Sequence, residues 1–261
     1  MSIKIILFSF ACLSLLAFCV GCSTPMVVPN HVHVPLMRKV GEVKMQGQVG
    51  TNGVSGSVAV SPLPHLAARG TYSKAWSKET RNPQGVLTDV THGHELVEAA
   101  VGGYLPQLSL AGQNATFELY GGMSLGTVRA AVGQSIFFSN IQVVDAKARQ
   151  VFIELNVGIR ESSSPPPTEG NPAPEGKIFE YGSSFRYSNW QLTEIAYNDI
   201  LSPPEKQEGN YLQATIFGRL PGKVIFLEAQ LGVLYPVSDH PNRPSIASLY
   251  VSAGLHFNLF P

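Results

Sequence analysis

The chain has 261 residues with a formal net charge of zero, and only 14% of them are charged, against about 25% in a typical soluble domain. A neutral chain offers no electrostatic reason to bind nucleic acid or an acidic partner. After residue 22 no apolar run is long enough for a spanning helix. Composition therefore excludes a helical membrane protein and a nucleic-acid binder, and it allows a membrane β-barrel, whose strands need only alternate in polarity.

The first residues predict an exported protein. Lys4 precedes the apolar stretch 5–20, a pattern typical of a secretory signal peptide. The stretch ends in Gly21-Cys22, which resembles the lipobox at which bacterial lipoproteins are cleaved and lipidated. That resemblance implies a signal peptide over residues 1–21 and diacylglycerol and palmitate on Cys22.

The other cysteines, Cys12 and Cys19, lie in the predicted signal peptide. Cys22 would therefore be the sole cysteine of the mature chain, and a lipidated cysteine needs no disulfide partner. Ser23 follows it, and by resemblance to lipoprotein sorting signals this favours the outer membrane.

Residues 22–40 contain proline and valine without helical period, and they are predicted to form a lipidated N-terminus and tether. Residues 41–261 then repeat one theme, in which a stretch of period-two alternation is followed by turn residues. Ten such stretches predict a single all-β domain, an antiparallel up-and-down barrel of about ten strands (8–12). They lie near 41–50, 53–62, 66–76, 94–105, 115–130, 150–161, 177–192, 211–220, 223–236 and 246–260.

The charged residues of these stretches fall on the less apolar face, together with glycine and serine. Acidic and basic members nearly balance, which favours a packed polar lumen held shut by ion pairs over a solvated exterior. The predicted lumen network consists of Glu42, Lys44, Arg69, Glu98, Glu118, Glu154, Arg160, Glu180, Arg186, Arg219 and Glu228.

The connections between the strands predict a direction for the barrel. Residues 77–93, 131–149 and 193–210 are predicted as long external loops, and the Ser/Pro-rich segment 162–177 as a long periplasmic connection. An even number of strands places both ends of the barrel domain on one side. The N- and C-termini are therefore both predicted to be periplasmic, with the lipid beside them.

Two resemblances support this architecture. The last stretch carries Ser252, Gly254, Phe257 and Leu259 in the order of the terminal β-signal of outer-membrane barrels, although the chain continues for two more residues. The body resembles the outer-membrane β-barrel lipoproteins of the Bacteroidota. The resemblance is carried by Val34-Pro35-Leu36, Gly41-Glu42-Val43, the stretch 98–104 and the stretch 117–122. It implies one small barrel with a lipid tether, and no defined activity.

Candidate chemistry is sparse. His92 and His94 would point the same way in a strand, as would His31 and His33, but two histidines do not complete a metal site. Acidic and histidine residues near the predicted external rim could activate water, yet no spacing connects them. These rim residues are Asp89, His92, His94, Asp145, Asp199, Asp239 and His240. No catalytic residue, metal or cofactor is predicted.

Three hypotheses follow. The first is a non-enzymatic, lipid-anchored outer-membrane barrel with a closed polar lumen and a structural or surface-binding role. Its expected partners are membrane lipid, the lipoprotein-sorting and barrel-assembly machinery and an unidentified surface partner. The second is a lipid-tethered periplasmic barrel resembling lipocalins, with apolar faces turned inward around a small apolar ligand. The third is a rim-active outer-membrane hydrolase.

Overall fold

The computed structural model describes residues 30–51, 53–81, 88–110, 113–133, 141–163, 177–197, 200–201, 207–220, 224–237 and 249–259. The predicted signal peptide and Cys22 lie outside these residues. Among the described residues no helix is long and apolar enough to cross a membrane.

The described residues form eleven strands, and ten of these make up the wall of the fold. The wall strands are β1 (Val43–Gly50), β2 (Gly53–Leu63), β3 (Leu66–Arg81), β4 (Thr88–Leu110), β5 (Gln113–Gly133), β6 (Ile141–Ser163), β7 (Lys177–Tyr197), β9 (Gln207–Leu220), β10 (Ile225–Pro236) and β11 (Leu249–Asn258). The two-residue β8 (Ile200–Leu201) pairs with the end of β7.

Every wall strand pairs antiparallel with its neighbours in chain order, with β9 following β7 in the wall. The first and last strands also pair, with Met45 opposite Phe257, so the sheet closes on itself. Because closure leaves no sheet edge, the backbone hydrogen bonds of the wall are satisfied within it. The prediction of a ten-stranded antiparallel barrel is confirmed.

Alternation explains why these sequences form a barrel wall. In β10, Leu227 is 58% exposed on the outside, whereas its neighbour Glu228 is 2% exposed on the inside. The same split holds in β6, where Ile153 is outside and Glu154 inside. The apolar faces therefore point outward and the polar faces inward. This overturns the lipocalin-like alternative, which required the opposite arrangement.

The barrel has two different ends. Two-residue connections join β2 to β3 and β4 to β5 at one end, which also holds the β9–β10 connection and is called the turn end. The opposite end, called the loop end, holds the β3–β4, β5–β6, β7–β9 and β10–β11 connections and the short β1–β2 turn. The longer β6–β7 connection lies at the turn end, the side that the sequence predicted for it.

The predicted loops 77–93, 131–149 and 193–210 were drawn too long. β3 runs on to Arg81, β6 begins at Ile141 and β7 continues to Tyr197. Near the loop end the outward residues become polar, as Lys147 and Arg149 show in β6. The inner face there is apolar, with Val144, Ala146 and Ala148 buried in a hydrophobic cluster. The polarity of the two faces is therefore reversed relative to the rest of the strand, which interrupts the alternation although the strand continues.

Candidate functional site: the filled lumen

A segment of the same chain fills the barrel. Residues 30–37, called the plug, run through the lumen, and each of them is buried. Residues 22–40 were predicted to be a tether that leads from the lipid to the domain, but residues 30–37 are buried inside the barrel. The chain returns to the turn end at Arg38 and enters β1 at Val43. The inward faces of the wall strands carry polar side chains that bind the plug backbone. These contacts hold the plug inside the barrel.

The plug has no strand partner, so wall side chains take the place of a sheet neighbour. Gln213 donates to the carbonyl of Asn30 at 2.8 Å, and Gln230 to that of Val32 at 2.6 Å. The next two carbonyls of the plug accept hydrogen bonds from Arg69 (His33) and Arg219 (Val34). Unpaired buried carbonyls are costly, so these side chains account for the stability of an isolated extended chain inside the barrel.

At the turn end the plug is held by two more contacts. Lys44 donates from Nζ to the carbonyl of Leu36 at 2.6 Å, and the backbone N–H of Met37 donates to Glu118 at 2.7 Å. Lys44 also pairs with Glu42 at 3.2 Å, and Glu42 accepts from the backbone N–H of Arg38 at 2.7 Å. The plug end is therefore fixed by two carboxylates and one ammonium group.

The plug side chains fit gaps in the wall. His31 and His33 both lie within hydrogen-bonding distance of the Ser55 hydroxyl, at 2.9 and 3.0 Å. Leu36 occupies the space in front of Gly158, where an added Cβ would lie 2.4 Å from Leu36 Cδ1. An inward glycine at this point of β6 thus makes room for the plug.

One ion cluster connects four wall strands. Arg69 contacts Glu154 with both terminal nitrogens, at 2.7 and 3.0 Å, and Glu98 at 3.1 Å. Arg186 contacts the same two carboxylates, with Nη1 2.8 Å from Glu98 and Nε 2.8 Å from Glu154. The Arg186 guanidinium also lies 4.2 Å from the Phe152 ring centroid. Two arginines and two glutamates leave no net charge, which is the condition for burying ions at low cost.

A second cluster joins β7, β9 and β10. Arg219 contacts Glu228 at 2.5 Å and Glu180 at 3.1 Å. Arg38 reaches the other oxygen of Glu180 at 2.7 Å. Three glutamines complete the shell of Glu228, with Gln46, Gln48 and Gln230 donating to its Oε1. Glu180 thus has two guanidinium partners, whereas Glu228 has one guanidinium and three amide donors.

Ten of the eleven residues predicted for the lumen network are buried on the inner face. The exception is Arg160, which is half-buried near the turn end of β6. The structure gathers the ten into the two clusters and the group around Glu42 and Glu118. The β-signal residues divide between the faces of β11. Ser252 and Gly254 turn inward, whereas Phe257 and Leu259 turn outward.

Sequence reasoning missed Arg38 and the plug itself. Arg38 was placed in the tether, although it is the partner of Glu180 in the structure. The alternation His31-Val32-His33-Val34 was a strand-like signal within that segment. This alternation could have indicated an extended chain packed among polar groups. The segment alone does not identify the wall residues that contact it.

The structure does not bring the candidate rim residues together where it describes them. His94 is buried on the inner face of β4, whereas Asp145 lies on the outer face of β6, 3.4 Å from Arg129. The side chains of Asp89, His92, Asp199, Asp239 and His240 lie outside the described residues. Within the described part of the chain, no group of three or more His, Cys, Asp or Glu side chains could hold a metal ion.

An apolar belt covers the outside of the barrel. On β4 the outward residues from Leu105 to Val97 are all apolar or glycine, a stretch of about 26 Å along the strand. Outward tyrosines border the belt toward the loop end, and outward aromatic residues border it toward the turn end. The first group is Tyr72, Tyr187 and Tyr235; the second is Phe117, Phe179, Tyr181 and Phe257. Beyond the tyrosines the outer face carries charges such as Lys74, Glu95 and Arg149.

The comparisons with known proteins place no family name on the chain. No family profile matches the sequence. No curated protein matches it either. Among solved structures, it is similar to the outer membrane protease OmpT from Escherichia coli, with 12% identity and a TM-score of 0.45. The alignment covers 84% of this chain and 93% of that chain. The similarity concerns the fold, and no residue role is transferred from it.

Proposed function

We propose that the protein is a non-enzymatic outer-membrane β-barrel of the Bacteroidota lipoprotein type, anchored additionally by lipid on Cys22 and closed to solutes by its own plug. Its role is structural or surface-binding, exerted through the loop end. Sorting and barrel-assembly machinery would be its partners during export.

The outer apolar belt carries this proposal. A transmembrane strand needs about 9–11 tilted residues, and aromatic girdles mark both membrane interfaces of known barrels. The nine residues from Val97 to Leu105 and the two aromatic borders match these requirements. A water-soluble barrel would instead expose this belt to water, where apolar patches of such size promote aggregation.

The filled lumen supports the second half of the proposal. Wall side chains and the plug occupy the interior. The charged groups there form ion pairs with each other or hydrogen bonds with the plug backbone. Such a lumen suits a structural or surface-presenting barrel better than a channel. The charged outer surface beyond the tyrosine border indicates that the strands continue past the membrane, which would hold the loop end above the lipid.

A charge placed in the belt tests the membrane assignment. Val101 is 65% exposed near the middle of the belt, so we expect Val101→Arg to destabilise the barrel in phospholipid vesicles. The expected loss is about 2–4 kcal/mol, the typical depth-dependent cost of arginine on a lipid-facing site. Guanidine unfolding, followed by the folded band on unboiled SDS gels, measures it.

Thr127→Arg is the matched control, since Thr127 is an exposed outward residue just beyond the belt on the neighbouring strand. It should leave the unfolding midpoint unchanged. Equal stability of the two variants, or extraction of the parent protein from membranes without detergent, would show that the barrel does not span a bilayer.

A further inference from the structure

The plug runs from the loop end to the turn end of the barrel, and this direction limits where the lipid anchor can lie. Its turn-end side is marked by Met37 on Glu118 and by Arg38 on Glu180. Its other side is marked by Asn30, which accepts hydrogen bonds from Ser73 through its side chain and from Gln213 through its carbonyl. The last described residue, Leu259, donates its backbone N–H to Val43 at the turn end. Asn30 and Leu259 therefore lie toward opposite ends of the barrel, although β1 begins and β11 ends at the same turn end.

The plug spans the same depth as the outer belt. Ser73 follows Tyr72, and Gln213 follows Leu212, both of which are outward residues at the loop-end border of the belt. At the other side, Glu180 lies between the border aromatics Phe179 and Tyr181. The seven steps from Asn30 to Met37 cover about 23 Å, close to the height of the apolar band in membrane barrels. Asn30 thus lies at the level of the membrane interface on the loop side.

The lumen around the plug is closely packed. All plug residues from Asn30 to Met37 are buried, so their surroundings are filled. At Gly50 an added Cβ would already lie 2.8 Å from His31 Nε2, and at Gly158 it would collide with Leu36. A second extended strand beside the plug would need far more space than one methyl group.

We propose that Cys22 lies at the loop end, so that its acyl chains enter the leaflet on the side opposite the C-terminus, which is the outer leaflet of the outer membrane. This rests on the proposed function for the membrane and for the lipid. Eight residue steps separate Cys22 from Asn30, and an extended chain of that length reaches about 28 Å. On the loop side the wall is lowest where β1 ends at Gly50 and β10 at Pro236, whereas β3 continues to Arg81. The shortest path from the lumen to the surrounding lipid therefore lies there.

Thiol labelling in intact cells tests this placement. Met26→Cys and Thr24→Cys each put a thiol between Cys22 and the plug, and Lys39→Cys puts one just past the other end of the plug, where Lys39 is exposed. A membrane-impermeant maleimide is applied to intact cells and to cells with a permeabilised outer membrane. The parent chain is the control, because an acylated Cys22 has no free thiol to react.

We expect Met26→Cys and Thr24→Cys to react in intact cells, and Lys39→Cys to react only after permeabilisation. If all three react only after permeabilisation, or all three react in intact cells, the threaded placement of Cys22 is overturned. If Lys39→Cys reacts in intact cells and the other two do not, the turn end faces the outside of the cell. The whole barrel then has the opposite orientation, and the outer-leaflet placement of Cys22 is overturned. Labelling of the parent chain, or its recovery in the aqueous fraction, would reveal failure of the proposed lipid or membrane insertion instead.

Discussion

Arg186 illustrates how single residues make the polar lumen stable. Its guanidinium is 1% exposed, it contacts Glu98 at 2.8 Å, and it shares Glu154 with Arg69. A buried ion pair adds little stability over an apolar pair, but removal of one partner leaves an uncompensated charge away from water. The cost of substitution therefore depends on burial and not on the length of the contact.

One arginine and one lysine substitution separate the effect of burial from the effect of contact length. We expect Arg186→Met to lower the free energy of unfolding by about 3–5 kcal/mol, because Glu98 and Glu154 would then share Arg69 alone. Lys147→Met removes a pair of similar length, 2.6 Å from Glu194, whose side chains are 63% and 57% exposed. Exposed pairs contribute about 0–1 kcal/mol, so this control should stay near the parent value. Guanidine unfolding in vesicles measures both, and equal losses would contradict the buried network.

At the scale of elements, the plug and β6 are fitted to each other through a missing side chain. Gly158 faces Leu36, which is 1% exposed, so there is no room into which Leu36 can move freely. Gly121, on the neighbouring β5, faces outward and has no atom within 4 Å of the position of an added Cβ. An added methyl group would therefore collide with Leu36 at Gly158 and meet open space at Gly121.

This difference gives a rescue experiment. Gly158→Ala should lower the unfolding free energy by about 1–3 kcal/mol through overpacking, and adding Leu36→Ala should recover part of that loss. Gly121→Ala should have little effect. The folded band on unboiled SDS gels, recorded against temperature, ranks these three variants, Leu36→Ala alone and the parent. If Leu36→Ala and Gly158→Ala were strictly additive, Leu36 would not lie against Gly158.

The elements also show what a sequence can and cannot reveal about this fold. Each wall strand has an exposed, largely apolar outer face and carries its charges on the face toward the lumen. Its residues therefore alternate, and the ten strands and most lumen charges were predictable. The plug meets the wall on all sides. His31 and Val32 are both buried despite their different polarity, so their alternation has no exposed face to mark. Pairings such as Arg38 with Glu180 join residues 142 positions apart, and only the closed barrel brings them together.

At the scale of the whole molecule, two independent attachments to the membrane are proposed. The apolar belt inserts the barrel, and the lipid on Cys22 holds the chain before the plug. Closure of β1 on β11 means that the barrel cannot be withdrawn strand by strand, since no edge is free. Under the proposed function, a lipid on Cys22 would therefore not be needed for retention once the barrel has formed, and its contribution would fall on sorting and assembly.

Cys22→Ser separates the two attachments. We expect the variant to lose acyl mass and precursor processing and to reach the outer membrane in smaller amount, because the sorting signal is gone. The fraction that does arrive should still require detergent for extraction and should still run as a folded band on unboiled SDS gels, because the belt alone retains it. Mass spectrometry of the purified chain and detergent extraction of the membrane fraction measure these outcomes. Unchanged mass and processing would exclude lipidation, whereas release of the variant into buffer would show that the lipid is the sole anchor and that the belt does not cross the bilayer.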